Sequence, residues 1–155
     1  MNSKRRVFLK GTLAAGTVGV AVGAGLLTPS TVLADWPKAA FQANSLSDAL
    51  KSALGSDSHS SGDITIRAPD IAENGAVVPI TVESTLSGVT DIAILAVANN
   101  APLTSSYKLG EGTKAFVATR IKMGETSDIV AVLKANGQLY SGTKEVKVTI
   151  GGCGG

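Results

Sequence analysis

The chain has 155 residues, with 14 Lys and Arg against 12 Asp and Glu, one His and one Cys. A single cysteine excludes an internal disulfide framework, and no Lys/Arg cluster with interleaved aromatics is present to bind a nucleic acid. Four of the 14 basic residues and none of the 12 acidic ones fall in residues 1–34, so removing that stretch leaves ten against twelve and a net charge of −2.

Residues 1–34 read as an export signal. Lys4, Arg5, Arg6 and Lys10 form a basic start, an apolar Gly- and Ala-rich stretch runs over residues 11–27, and Val32-Leu33-Ala34 offers small residues to a signal peptidase. Arg5-Arg6-Val7-Phe8-Leu9-Lys10 resembles the twin-arginine signal R-R-x-F-L-K at every defined position. The other reading is a membrane anchor. Against it, Gly11, Gly16, Gly19, Gly23 and Gly25 interrupt a stretch of 17 residues, short of the roughly 20 apolar residues a spanning helix needs. Cleavage after Ala34 is expected, with folded cargo exported to the periplasm and no membrane association afterwards.

The remaining 121 residues suit one domain, long enough to bury about two-thirds of its unfolded surface. Phe41, Leu46, Ala49, Leu50, Ala53 and Leu54 recur at helical spacing, with Ser45 or Ser47 as cap and Gly55 as stop. Residues 56–62 read as a polar loop. Its His59 has no second candidate ligand nearby, so a solvated loop histidine is expected and no metal site is assigned.

From Asp63 the period switches to two: Ile64 and Ile66; Val78, Ile80 and Val82; Ile92, Ile94 and Ala96; Val117 and Ile121; Val146, Val148 and Ile150. Residues 128–135 are mostly apolar, as in a strand covered on both faces. Turn signals separate these runs: Asn74-Gly75, Ser87-Gly88, Asn99-Asn100-Ala101-Pro102, Gly110-Glu111-Gly112, Gly124 and Asn136-Gly137. The last, before Gln138-Leu139-Tyr140, is a two-residue hairpin signal. Six to eight short strands at such intervals predict an all-β, antiparallel immunoglobulin-like sandwich over 35–150, with a short N-terminal helix and without the Cys…Trp…Cys hallmark of antibody domains.

The residues after the signal hold few convergent side chains for catalysis: no Ser-His-Asp spacing, no phosphate loop and no distinctive carboxylate pair. Glu73-Asn74-Gly75 is read as a turn rather than a reactive corner. The sequence closes on Gly151-Gly152-Cys153-Gly154-Gly155. Glycine on both sides gives a thin, freely rotating arm that projects Cys153 by about 10 Å over three residues, fit to enter another protein's site. No helix N-terminus and no Lys or Arg neighbour activates the thiol, so activation is expected inside partner sites. An intermolecular Cys153–Cys153 disulfide in a structural sandwich is the other reading.

The glycine-flanked cysteine on an exported β-rich chain resembles the SoxY family of sulfur carriers in bacterial thiosulfate oxidation. Further likeness lies in residues 71–79 (IAENGAVVP), similar to an A-E-N-G-x-x-V-P stretch, in residues 119–123 (TRIKM) and in residues 146–149 (VKVT), so it spans about 36–155. This resemblance implies a carrier without catalysis of its own and without a resident cofactor, holding sulfur species on Cys153. Implied partners are a SoxZ-like subunit in a heterodimer, the c-type cytochrome SoxAX, the hydrolase SoxB and, in cells that have it, the sulfane dehydrogenase SoxCD. A ubiquitin-like carrier loaded as a C-terminal thiocarboxylate also ends in Gly-Gly; the export signal and the Cys within the tail speak against it.

Overall fold

The helical spacing after Pro37 resolves into two short helices rather than one. The computed structural model describes residues 37–149; α1 (Lys38–Gln42) and α2 (Leu46–Leu54) are separated at Ala43, whose ψ of 137° leaves helical conformation. Of the two candidate caps, Ser45 takes the role: its side chain accepts from the Asp48 N–H at 3.1 Å. Ser47 instead donates to the Asp57 carboxylate at 2.5 Å. Gly55 closes α2 with φ of 86°, a left-handed conformation suited to glycine, and its N–H returns to the Lys51 carbonyl.

The period-two stretches form strands, in chain order β1 (Ser60–Ser61), β2 (Ile64–Arg67), β3 (Ile71–Ala72), β4 (Val78–Ser84), β5 (Val89–Ala96), β6 (Leu103–Lys108), β7 (Phe116–Ile121), β8 (Ser127–Ala135) and β9 (Gln138–Val148). They make two sheets. One has the order β1-β9-β8-β5-β6, with β3 also pairing β9; the other is β2-β4-β7. The expected immunoglobulin-like sandwich is therefore present, with one difference. The long pairings are antiparallel, while β1 and β3 lie parallel to β9, so the larger sheet is mixed.

Alternation sorts the apolar residues into two cores on either side of the larger sheet. Ile92, Ile94, Ile129, Ala131, Leu133 and Val146 face the smaller sheet's Val78, Ile80, Val82, Val117 and Ile121. Ala93, Leu95, Val130 and Val132 point the other way and are covered by Ala40, Ala49, Leu50 and Leu54 of the helices. The unbroken apolar run of β8 is explained by this double covering. Asn136 and Gly137, at φ of 51° and 80°, make the turn that joins β8 to β9 with Ala135 opposite Gln138.

The chain from β1 to β3 runs along the edge of β9. It pairs at Tyr140 and Ser141, leaves to join the smaller sheet as β2, and returns to pair at Lys147 and Val148. Glycine at 142 permits the crossing, since a Cβ there would lie 3.0 Å from both the Cβ and the carbonyl oxygen of Ile64. Among the described residues no helix is long and apolar enough to cross a membrane.

Candidate functional site

Cys153 and its flanking Gly151, Gly152, Gly154 and Gly155 lie outside the described residues, as do Ile150, Arg5 and Arg6 of the proposed signal. What the structure gives is the root from which residues 150–155 continue, at the end of β9. Strand β9 reaches Val148 with β8 on one side and β3 on the other, so its last residues are held from both edges. The Thr149 N–H donates to the Ala72 carbonyl at 3.1 Å, and the Lys147 N–H to the Asp70 carbonyl at 3.0 Å. From the β8 side, the Thr126 hydroxyl accepts from the Val148 N–H at 2.9 Å. Lys144 pairs with Asp70 at 2.8 Å, and the hydrogen bond and charge of that ammonium hold the Asp70 carboxyl below the ordinary carboxylate range.

The Glu73-Asn74-Gly75 corner belongs to this root. Asn74 folds it as an Asx turn, its Oδ1 accepting from the Ala76 N–H at 2.9 Å. Neither Asn74 nor Gly75 has positive φ, so the corner does not use the backbone freedom expected of an Asn-Gly turn. Gly75 is required by close approach. A Cβ there would lie 2.4 Å from the Met123 carbonyl oxygen and 2.8 Å from Val148 Cγ1, and the Met123 N–H already donates to the Gly75 carbonyl at 2.7 Å. Asn99 ties the neighbouring loop, donating from Nδ2 to the Lys122 carbonyl at 2.8 Å and accepting at Oδ1 from the Gly124 N–H at 2.9 Å. The three stretches that carry the family likeness, 71–79, 119–123 and 146–149, thus meet at one end of the sandwich.

That end also has an apolar rim. Ile71, Val77 and Val97 are exposed at 57%, 51% and 43%, and all three sit at this end: on β3, after the Asn74 turn, and just past β5. Sequence reasoning missed them because the only signal, single apolar residues beside turns, is common to many surfaces. His59 lies elsewhere. It precedes β1, which pairs with the start of β9, so the length of β9 separates it from the root. Among the described residues no group of three His, Cys, Asp or Glu is placed to hold a metal ion. Chemically, then, the described residues form a firm mount at this end, and the one thiol of the chain follows four residues after Thr149.

Comparison with known proteins bears on the same residues. The model of a family described as sulfur oxidation protein SoxY matches residues 50–153, a span that includes Cys153. The solved sulfur carrier protein SoxY from Chlorobium limicola f thiosulfatophilum is 42% identical over 66% of this chain and 94% of its own, with a TM-score of 0.60. Two solved superoxide reductases (neelaredoxins), both variants from Ignicoccus hospitalis, reach a TM-score of 0.50 at 15% and 16% identity. They cover 66% and 59% of this chain, and 86% and 81% of their own, and share the fold alone. No curated protein matches the chain.

Proposed function

Since the chain belongs to the SoxY family and is a sulfur-oxidation carrier, we propose that it carries its cargo covalently on Cys153 and presents it to separate enzymes in the periplasm. The observation that carries this reading is the family match running through Cys153, on a chain with no other cysteine. The firm root of β9 supports it, because a swinging arm needs a fixed pivot.

The chemistry proceeds in steps done by partners. The Cys153 thiolate and thiosulfate are joined through a new S–S bond, and two electrons pass to the haems of a c-type cytochrome; the product is an S-thiosulfonate. Hydrolysis then splits the bond between the outer sulfane sulfur and the sulfonate. Water supplies the oxygen of the sulfate that leaves, two protons are released, and a persulfide stays on Cys153. A sulfane dehydrogenase, in cells that have one, oxidises that outer sulfur further. This chain's residues take no proton and donate no electron pair beyond the thiolate itself. Their part is to hold, extend and withdraw it, and the glycines at 151, 152, 154 and 155 let the arm enter a narrow site.

The remaining elements of the proposal are export through the twin-arginine route and a heterodimer with a SoxZ-like subunit that crosses with it as folded cargo. The test is complementation. In cells lacking this chain, the wild-type protein restores thiosulfate oxidation and Cys153→Ser does not, while both accumulate in the periplasm. Full restoration by Cys153→Ser would refute covalent carriage on this residue.

A further inference from the structure

We propose that Asn74 is a site of spontaneous deamidation, where the corner that closes the β9 root converts itself to aspartate and isoaspartate with water as the only co-reactant. This goes beyond the carrier reading and does not depend on it.

The chain has two Asn-Gly pairs, Asn74-Gly75 and Asn136-Gly137. In each, the missing glycine Cβ leaves the following peptide nitrogen open to attack the Asn side-chain carbonyl carbon. The fold separates them. Asn74 is exposed, and its Oδ1 accepts from the Ala76 N–H at 2.9 Å, which lays the side chain over the Gly75 peptide. Among the described residues neither Asn74 Nδ2 nor the Gly75 N–H has a hydrogen-bond partner, so leaving group and nucleophile are both free. Asn136 is held differently. Its Nδ2 donates to the Ser87 carbonyl at 3.3 Å and its own N–H to the Gly88 carbonyl at 3.3 Å, while its Oδ1 takes no donor among the described residues. Asn99 is followed by Asn100 rather than glycine, and both of its side-chain groups are bonded, to the Lys122 carbonyl and the Gly124 N–H.

The reaction needs no electron donor or acceptor. The Gly75 nitrogen gives its proton to hydroxide and attacks Asn74 Cγ. A new C–N bond closes a succinimide ring, and Nδ2 leaves as ammonia after taking a proton from water. Negative charge gathers meanwhile on Oδ1, the atom to which the Ala76 N–H already donates, so that the corner carries its own oxyanion donor. Water then opens the ring at either carbonyl, and the net change is one water taken up and one ammonia released.

The two products differ at the root. Aspartate keeps the ordinary main chain and an oxygen for the Ala76 N–H. Isoaspartate routes the main chain through the side-chain carbons and lengthens it by one methylene. The corner has no room for that: the Gly75 carbonyl accepts from the Met123 N–H at 2.7 Å, and even a Cβ on Gly75 would stand 2.4 Å from the Met123 carbonyl oxygen and 2.8 Å from Val148 Cγ1. With isoaspartate the corner lifts off β9, and Val148 and Thr149 lose the support that fixes the start of the arm.

The test follows the purified mature chain by peptide mapping during incubation in mildly alkaline buffer, folded and in urea. In urea the two Asn-Gly pairs should convert at equal rates. In the folded chain position 74 should convert at least about tenfold faster than position 136, since the donor present at one and the bond to be broken at the other are each worth about a factor of five. An isoaspartyl methyltransferase should label the product at position 74. The isoaspartate-bearing fraction should show faster amide exchange at Val148 and Thr149 than Asn74→Asp, which has the added charge without the added methylene. Equal folded-state rates at the two pairs, or conversion at position 74 slower in the folded chain than in urea, would overturn the proposal. Equal exchange in the isoaspartate fraction and Asn74→Asp would overturn the claimed loosening of the root.

Discussion

Replacing Gly75 by Ala tests the claim that the root of β9 is closed by close backbone approach. The added Cβ would fall 2.4 Å from the Met123 carbonyl oxygen and 2.8 Å from Val148 Cγ1, both well inside van der Waals contact. Val148 is able to turn its side chain, but Met123 is not free to yield, because its own N–H is fixed to the Gly75 carbonyl at 2.7 Å. The corner must therefore move away from β9, at a cost of about 1–3 kcal/mol for an overpacked site. For a domain of this size, between the small and mid-sized classes, each kcal/mol lost lowers Tm by about 4 °C. The assay is thermal unfolding together with amide exchange. Exchange should speed up at Val148, Thr149 and Met123 and stay unchanged in β5. Gly124→Ala is the matched control at the same end, since a Cβ there meets nothing nearer than Asn99 Oδ1 at 3.7 Å. An unchanged Tm and unchanged exchange in Gly75→Ala would refute the reasoning.

Four further outcomes are expected. Thr126→Val keeps the shape but leaves the Val148 N–H without its partner, and should cost about 1 kcal/mol in chemical denaturation, with faster exchange at Val148; a neutral result would show that water replaces the hydroxyl. The Asp70 carboxyl is held low by Lys144, so this pair contributes stability above the ordinary carboxyl pKa of about 4 that is lost as pH falls through the lower folded value. The stability gap between wild type and Lys144→Met should thus be small and salt-sensitive near neutrality and shrink as pH falls below the ordinary carboxyl range; a gap that widens in acid would contradict the sign. Leu50→Ala, at a fully buried position between helix and sheet, should cost about 2–5 kcal/mol, read by urea unfolding, and a cost under about 1 kcal/mol would mean the helical layer is loosely attached. Val at both 152 and 154 should leave folding and reactivity toward small thiol reagents intact while slowing turnover by partner enzymes; undiminished turnover would remove the need for a slender arm.

How much of this was readable in the sequence depended on whether the signal was local. The Asn136-Gly137 hairpin and the doubly covered β8 were legible, because turn chemistry and an unbroken apolar run carry their own meaning. Strand β6 was not. Its sequence Leu-Thr-Ser-Ser-Tyr-Lys shows no alternation, since Leu103 packs under the helices, Tyr107 toward the sandwich, and the register with β5 shifts between Ile94 and Leu95. The two halves of β9 read as separate runs around Gly142, whose lack of a side chain answers to Ile64 crossing from another part of the chain. Strand β3 is two residues long and exists only because β9 is beside it. For the site, the arm residues stood out by composition, whereas the mount did not. Gly75 looked like a turn glycine, and its contact with Met123 and Val148 spans residues far apart in sequence.

Intact-mass measurement of the protein isolated without reductant from cells oxidising thiosulfate bears most directly on covalent carriage. The mature chain should carry increments of one sulfur atom and of one thiosulfate unit, both removed by reduction, mapped to Cys153 and missing from Cys153→Ser. Bare chain throughout, or a doubled mass that reduction returns to the bare chain with no sulfur adduct, would contradict it.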